Sequence, residues 1–181
     1  MIEVRFHGRG GQGAVTSAEI IAQAAINEGL YAQAFPNFGP ERRGAPVLSF
    51  LRVSDKPIRI RSKVYEPDVI VILDPTLLLS VSPTGGLKKG AFVVINSHKS
   101  GDELRALFPG FKVASVDASR IAREEMGVPI TNTTMLGALL KVTGIVKFEA
   151  LTNPVTERFG RIAQKNIAAA KAAYDQVTFI N

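Results

Sequence analysis

The chain has 181 residues, 46% of them apolar and 21% charged, and carries a formal net charge of +6 from 22 Lys and Arg against 16 Asp and Glu. This suits one globular domain, expected over residues 1–181, with a basic surface able to meet an acidic partner or a phosphorylated cofactor. The absence of cysteine excludes disulfides, a cysteine nucleophile and cysteine-ligated iron–sulfur clusters, and the two histidines, His7 and His98, have no zinc-type spacing.

Residues 2–6 alternate as a strand should, and the loop Gly8-Arg9-Gly10-Gly11-Gln12-Gly13 follows at once. Residues 12–27 read as a largely buried helix, stopped near Gly29, and residues 31–35 as a second strand closed by Pro36. Residues 37–46 form a loop rich in Gly, Pro and Arg. Residues 47–53 and 58–61 are expected to pair as a hairpin, because Ser54-Asp55-Lys56-Pro57 supplies turn chemistry between them. The β-branched run Val69-Ile70-Val71-Ile72-Leu73 predicts a central strand buried on both faces. Asp74-Pro75 then places a cap and a first-turn proline.

A further strand is expected over 91–95, and Ser100-Gly101-Asp102-Glu103 has capping-box spacing for a short helix. Another strand covers 111–116. Asp117 caps a helix over 118–126, an apolar helix runs over 132–143 to Gly144, and the last long helix begins at Asn153-Pro154. The alternation of strands and helices defines an α/β class: a three-layer Rossmann-like domain whose sheet is mostly parallel, with an antiparallel hairpin at one edge. No apolar run reaches the roughly 18 to 20 residues that span a bilayer, and no secretory apolar region opens the sequence. No basic stripe interleaved with aromatics is present. The expectation is a cytoplasmic protein with no membrane and no nucleic-acid partner.

Gly8, Gly10 and Gly13 satisfy the G-x-G-x-x-G pattern between a strand and a helix. The first glycine permits the turn, the second lets backbone N–H groups approach a phosphate, and the third lets helix and strand pack closely. The helix N-terminus adds free donors and partial positive charge, and Arg9 offers a charged contact. A dinucleotide site also wants an acid about 20 residues on, at the end of the second strand. Here Tyr31-Ala32-Gln33-Ala34-Phe35-Pro36 ends without one, and no G-K-S/T follows the loop to make a Walker site. The second unusual cluster is Asn37-Phe38-Gly39-Pro40-Glu41-Arg42-Arg43-Gly44-Ala45-Pro46, whose adjacent arginines suit an anion or subunit contact, or an intraloop pair with Glu41. It should lie near the same sheet edge as the glycine loop. His7 is read as ordering the turn, His98 as a surface loop residue, and Asp74 and Asp117 as caps. The apolar helix 132–143 is either core or subunit contact.

Taken together, Phe6-His7-Gly8-Arg9-Gly10-Gly11-Gln12-Gly13 and Phe38-Gly39-Pro40-Glu41-Arg42-Arg43-Gly44-Ala45-Pro46-Val47 resemble the γ subunit of the 2-oxoacid:ferredoxin oxidoreductases. The strand over 68–74 and Asn132-Thr133-Thr134-Met135-Leu136-Gly137-Ala138 carry the likeness along nearly the whole chain, and the Glu-Arg-Arg-Gly-Ala-Pro form is most similar to the pyruvate and branched-chain enzymes. The resemblance implies a noncatalytic chain, inactive alone, in a complex that converts a 2-oxoacid to acyl-CoA and CO2 and reduces ferredoxin. It implies α, β and δ-type partner subunits that hold thiamine diphosphate, magnesium and 4Fe–4S clusters. It implies a coenzyme A contact shared with those subunits, for which Gly8, Arg9, Gly10, Gly11, Gln12 and Gly13, assisted by Arg42 or Arg43, are the candidate residues. The alternative is a free-standing nucleotide-binding enzyme of Rossmann-like fold.

Overall fold

The computed structural model describes residues 1–37 and 43–180. A seven-stranded sheet runs in the order β2-β3-β1-β4-β5-β6-β7. Its strands are β1 (Ile2–Arg9), β2 (Tyr31–Pro36), β3 (Pro46–Ser54), β4 (Val69–Ile72), β5 (Phe92–Asn96), β6 (Lys112–Val116) and β7 (Thr178–Ile180). β1, β4, β5 and β6 are mutually parallel at the centre, while β2–β3, β3–β1 and β6–β7 pair antiparallel.

The β-branched strands supply both cores through their two-residue alternation. Val69, Val71 and Leu73 enter the larger core, where α1 (Ala14–Asn27), α3 (Ala118–Met126), α4 (Asn132–Thr143), α5 (Thr152–Phe159) and α6 (Ala163–Gln176) pack. Ile70 and Ile72 enter the smaller core, with Leu104 of α2 (Gly101–Leu107), Phe108 and the 3-10 turn residue Leu78. This is the expected layered α/β arrangement, with one thick and one thin helical layer. The residues of α4 from 132 to 140 are buried, which settles that helix as core.

The expected pairing of 47–53 with 58–61 does not form. Residues 58–61 are irregular and mostly exposed. The physical reason is that β3 has no edge left to offer: β1 pairs along one side and β2 along the other. The antiparallel edge is therefore β2–β3, joined through the arginine loop. Two further differences concern the C-terminal region. Its long helix is broken at Gly160 (φ 51, ψ −116) into α5 and α6, and the short strand β7 was not anticipated.

The insertion of β3 also decides how the glycine loop can be used. In a dinucleotide-binding sheet the second strand lies directly beside the first, where its terminal acid reaches the ribose. Here β2 stands one strand further out, displaced by the roughly 4.8 Å strand spacing. Geometry and the missing acid thus argue against NAD together.

Candidate functional site

Gly8 and Arg9 are the last residues of β1, and Gly13 is the N-cap of α1 in the left-handed region (φ 77). Gly13 is fixed by sterics as well as by φ. A Cβ there would lie 2.6 Å from Asn132 Nδ2, at the first turn of α4. The glycine lets the N-terminal turns of two helices meet side by side. The first four backbone N–H groups of each helix have no carbonyl one turn earlier to accept them. This end of the sheet is therefore rich in donors and partial positive charge.

The loop is held from below by Asp74. Arg9 Nε donates to Asp74 Oδ2 (3.1 Å), Gln12 Nε2 donates to the same oxygen (2.8 Å), and Gln12 Oε1 accepts from the Arg9 backbone N–H (2.7 Å). Arg9 Nη2 also donates to Thr76 Oγ1 (2.9 Å) and Nη1 to the Gly44 carbonyl (3.1 Å). Asp74 still caps its turn, accepting from the Thr76 N–H (2.9 Å), so the cap reading holds but is only part of its role. Burial works to raise the Asp74 pKa. Hydrogen bonds from Thr76 and Gln12 and the Arg9 charge outweigh it, and the carboxyl lies below its ordinary value.

The two sequence clusters meet. Gly10 and Arg43 form a parallel bridge, Gly10 N–H donates to the Ala45 carbonyl (2.9 Å), and Gly44 N–H donates to the Gly10 carbonyl (3.2 Å). Arg43 is exposed beside the loop. Arg42 and Glu41 lie outside the described residues. Of the expected cluster, Gly8, Arg9, Gly10, Gly11, Gln12, Gly13 and Arg43 share one rim, while the Arg9 guanidinium is engaged by Asp74, Thr76 and Gly44. Asp117 caps α3 by accepting from the Arg120 N–H (2.9 Å), and His98 is exposed, as expected.

The residues missed by sequence reading are Asn132, Thr133 and Thr134. Asn132 Oδ1, Thr133 Oγ1 and Thr134 Oγ1 are buried without a hydrogen-bond partner, as is Ser17 Oγ in the first turns of α1. Each such atom costs about 1–3 kcal/mol when nothing satisfies it. The available signal was three consecutive polar residues opening an otherwise apolar helix. His7 lies within β1, two residues before its end, and its side chain meets Arg5 rather than the turn. It is almost fully buried, accepts at Nε2 from Arg5 Nε (3.0 Å), and burial with the Arg5 charge pushes its pKa down to about 3.

This geometry defines an α/β protein with a glycine turn that abuts a second helix start, on a sheet unsuited to a dinucleotide. Residues 3–176 match the family described as pyruvate ferredoxin/flavodoxin oxidoreductase. The chain is 55% identical over 180 residues to the pyruvate/ketoisovalerate oxidoreductases common subunit gamma of Thermococcus kodakarensis, covering 97% of each chain. It is 50% identical over 178 residues to the pyruvate synthase subunit PorC of Methanocaldococcus jannaschii, covering 98% of this chain and 97% of that one. Among solved structures, it superposes on the pyruvate oxidoreductase subunit PORC of Thermotoga maritima with a TM-score of 0.88 and 37% identity, covering 99% of this chain and 98% of that one. A 2-oxoglutarate:ferredoxin oxidoreductase of Magnetococcus marinus, solved with 2-oxoglutarate, coenzyme A and succinyl-CoA, shares the fold at a TM-score of 0.75 and 22% identity, over 97% of this chain and 30% of that one. The chain belongs to the pyruvate ferredoxin/flavodoxin oxidoreductase family, as the sequence resemblance implied. Its relatives are γ-type subunits, and it is accordingly a subunit of a multisubunit 2-oxoacid oxidoreductase.

Proposed function

We propose that residues 1–181 act as one noncatalytic unit, the γ chain of a complex with α, β and δ-type subunits. That complex oxidises pyruvate or a branched-chain 2-oxoacid to acyl-CoA and CO2 and passes the electrons to ferredoxin. The names of the relatives, which pair pyruvate with ketoisovalerate, support this substrate class. Thiamine diphosphate with magnesium, and the 4Fe–4S clusters, belong to the partner subunits; a chain without cysteine has no thiolate to give a cluster. The setting is the cytoplasm, and no helix of the described residues is long and apolar enough to cross a membrane.

In this reading the glycine loop is this chain's contribution to the coenzyme A side of the enzyme. The observation that carries it is the joining of Gly10 to Arg43, which sets an exposed cation beside the N-terminus of α1. Coenzyme A presents a pyrophosphate and a 3′-phosphate, for which backbone N–H donors and guanidinium groups are suited. Asn132, against Gly13 at the first turn of α4, brings a second helix N-terminus to the same end of the sheet. Arg9, held by Asp74 and Thr76, fixes the shape of the loop, while Arg43, with Arg42, meets the phosphates.

The test is steady-state kinetics of the assembled oxidoreductase with Arg43→Ala and Arg9→Ala. Arg43→Ala should raise KM for coenzyme A about tenfold, the scale of one lost charge-assisted contact, with KM for the 2-oxoacid unchanged. Arg9→Ala should raise the same KM through loss of loop order. An unchanged coenzyme A KM in both variants would refute the assignment.

A further inference from the structure

On the sheet face away from α1, a cleft of about 410 Å3 opens over β1 and β3. Arg5 and His7 form its polar part, and Val47, Leu48, Leu77 and Val81 contribute apolar walls. A few convergent polar groups among apolar walls, in a volume of several hundred Å3, is the ordinary composition of a small-molecule site.

The unusual member is Arg5. It is 8% exposed and lies on a central strand, yet no carboxylate pairs with it among the described residues. The other arginines of these two strands are balanced. Arg52 Nε meets Glu3 Oε1 at 2.7 Å, and Arg9 Nε meets Asp74 at 3.1 Å. Arg5 spends its donors on neutral acceptors: Nε on His7 Nε2 (3.0 Å), and Nη2 on the carbonyls of Pro83 (2.8 Å) and Gly85 (2.7 Å). These bonds fix the guanidinium without neutralising it, and the two N–H groups of Nη1 have no partner among the described residues. A buried charge left unpaired is costly. Burial accordingly lowers the Arg5 pKa. His7, accepting at Nε2, carries its proton on Nδ1, so it offers a second donor and no charge.

We propose that this cleft binds a small monocarboxylate with a short apolar chain, the carboxylate on the free edge of Arg5 beside His7 and the chain against Val47, Leu48, Leu77 and Val81. One positive charge matches one negative charge. A phosphate dianion would bring a second charge that nothing described here balances, and a purely apolar ligand would leave Arg5 as costly as before.

The experiment is calorimetric titration of sodium 3-methylbutanoate into the full-length chain and into the assembled oxidoreductase, with the neutral 3-methylbutanamide as control. Saturable binding to both preparations is expected, with the amide at least tenfold weaker. Arg5→Gln should weaken binding at least tenfold. Val81→Phe, which fills the cleft and keeps the charge, should do the same and guards against a folding defect in the Arg5 variant. The proposal is overturned by absence of saturable binding, by equal affinity for the amide, or by full binding to Val81→Phe. It is also overturned if the free chain binds the acid and the complex does not, since a partner subunit's carboxylate would then occupy Arg5.

Discussion

The buried His7 makes folding stability depend on pH in a way that can be worked out in advance. In the folded chain burial and the Arg5 charge hold its pKa at about 3, whereas an unfolded histidine titrates near 6.5. The unfolded state therefore binds the extra proton between these values, and stability falls as pH falls through that window. Above about pH 6.5 neither state is protonated and the term vanishes. Between pH 7 and pH 5 the loss from this one residue is about 2 kcal/mol, approaching a slope of about 1.4 kcal/mol per pH unit toward the lower value. His7→Gln keeps an acceptor for Arg5 Nε but has no titrating group. Urea unfolding of both chains at pH 7 and pH 5 isolates the histidine as a difference of differences, which removes the carboxylates common to both. The wild-type chain should lose about 2 kcal/mol more than the variant over that interval. Equal losses in the two proteins would mean that His7 is protonated in the native state, and the account of the Arg5–His7 contact would fail.

Two substitutions test the packing and capping on which the sheet depends. A Cβ at Gly137 would lie 1.8 Å from the Ala170 carbonyl oxygen, so Gly137→Ala must push α4 and α6 apart. We expect a loss of about 3 kcal/mol in denaturant unfolding, and a loss under about 1 kcal/mol would contradict the close helix contact. Ser100 and Glu103 form a complete capping box at α2, and bonds from Lys99 and Ser100 draw the Glu103 carboxyl down to about 2. Ser100→Ala should cost about 1 kcal/mol and speed hydrogen exchange of the Glu103 amide, while Gly101→Ala, outside the box, should leave that exchange slow.

Much of this arrangement was legible because local chemistry and tertiary structure agree. The alternation in 69–73 assigns residues to both cores, Asp74 and Asp117 cap where their spacing says they should, and Ser100 with Glu103 closes its box. Non-local competition hid the rest. Residues 58–61 have strand-like alternation, but the ladder they would join is already filled by β1 and β2. The glycine pattern showed that a turn and a helix start coincide. It carried no information that Arg9 would be claimed by Asp74, 65 residues away. The helix over 132–143 read as core or subunit contact, and the meeting of Asn132 with Gly13 was hidden because it depends on how α4 lies against α1.

The position of β3 between β1 and β2 has a consequence for redesign. Converting such a loop to nicotinamide use in other sheets can begin with one acidic substitution at the end of the second strand. Here Phe35→Asp would place its carboxylate beyond an intervening strand, opposite Phe50 rather than beside the glycine loop. Bringing that carboxylate beside the loop would require removing β3 from the sheet, and with it the eight paired positions that hold β1 from Ile2 to Arg9. Nicotinamide binding at this loop is thus barred by topology, and a point mutation cannot introduce it.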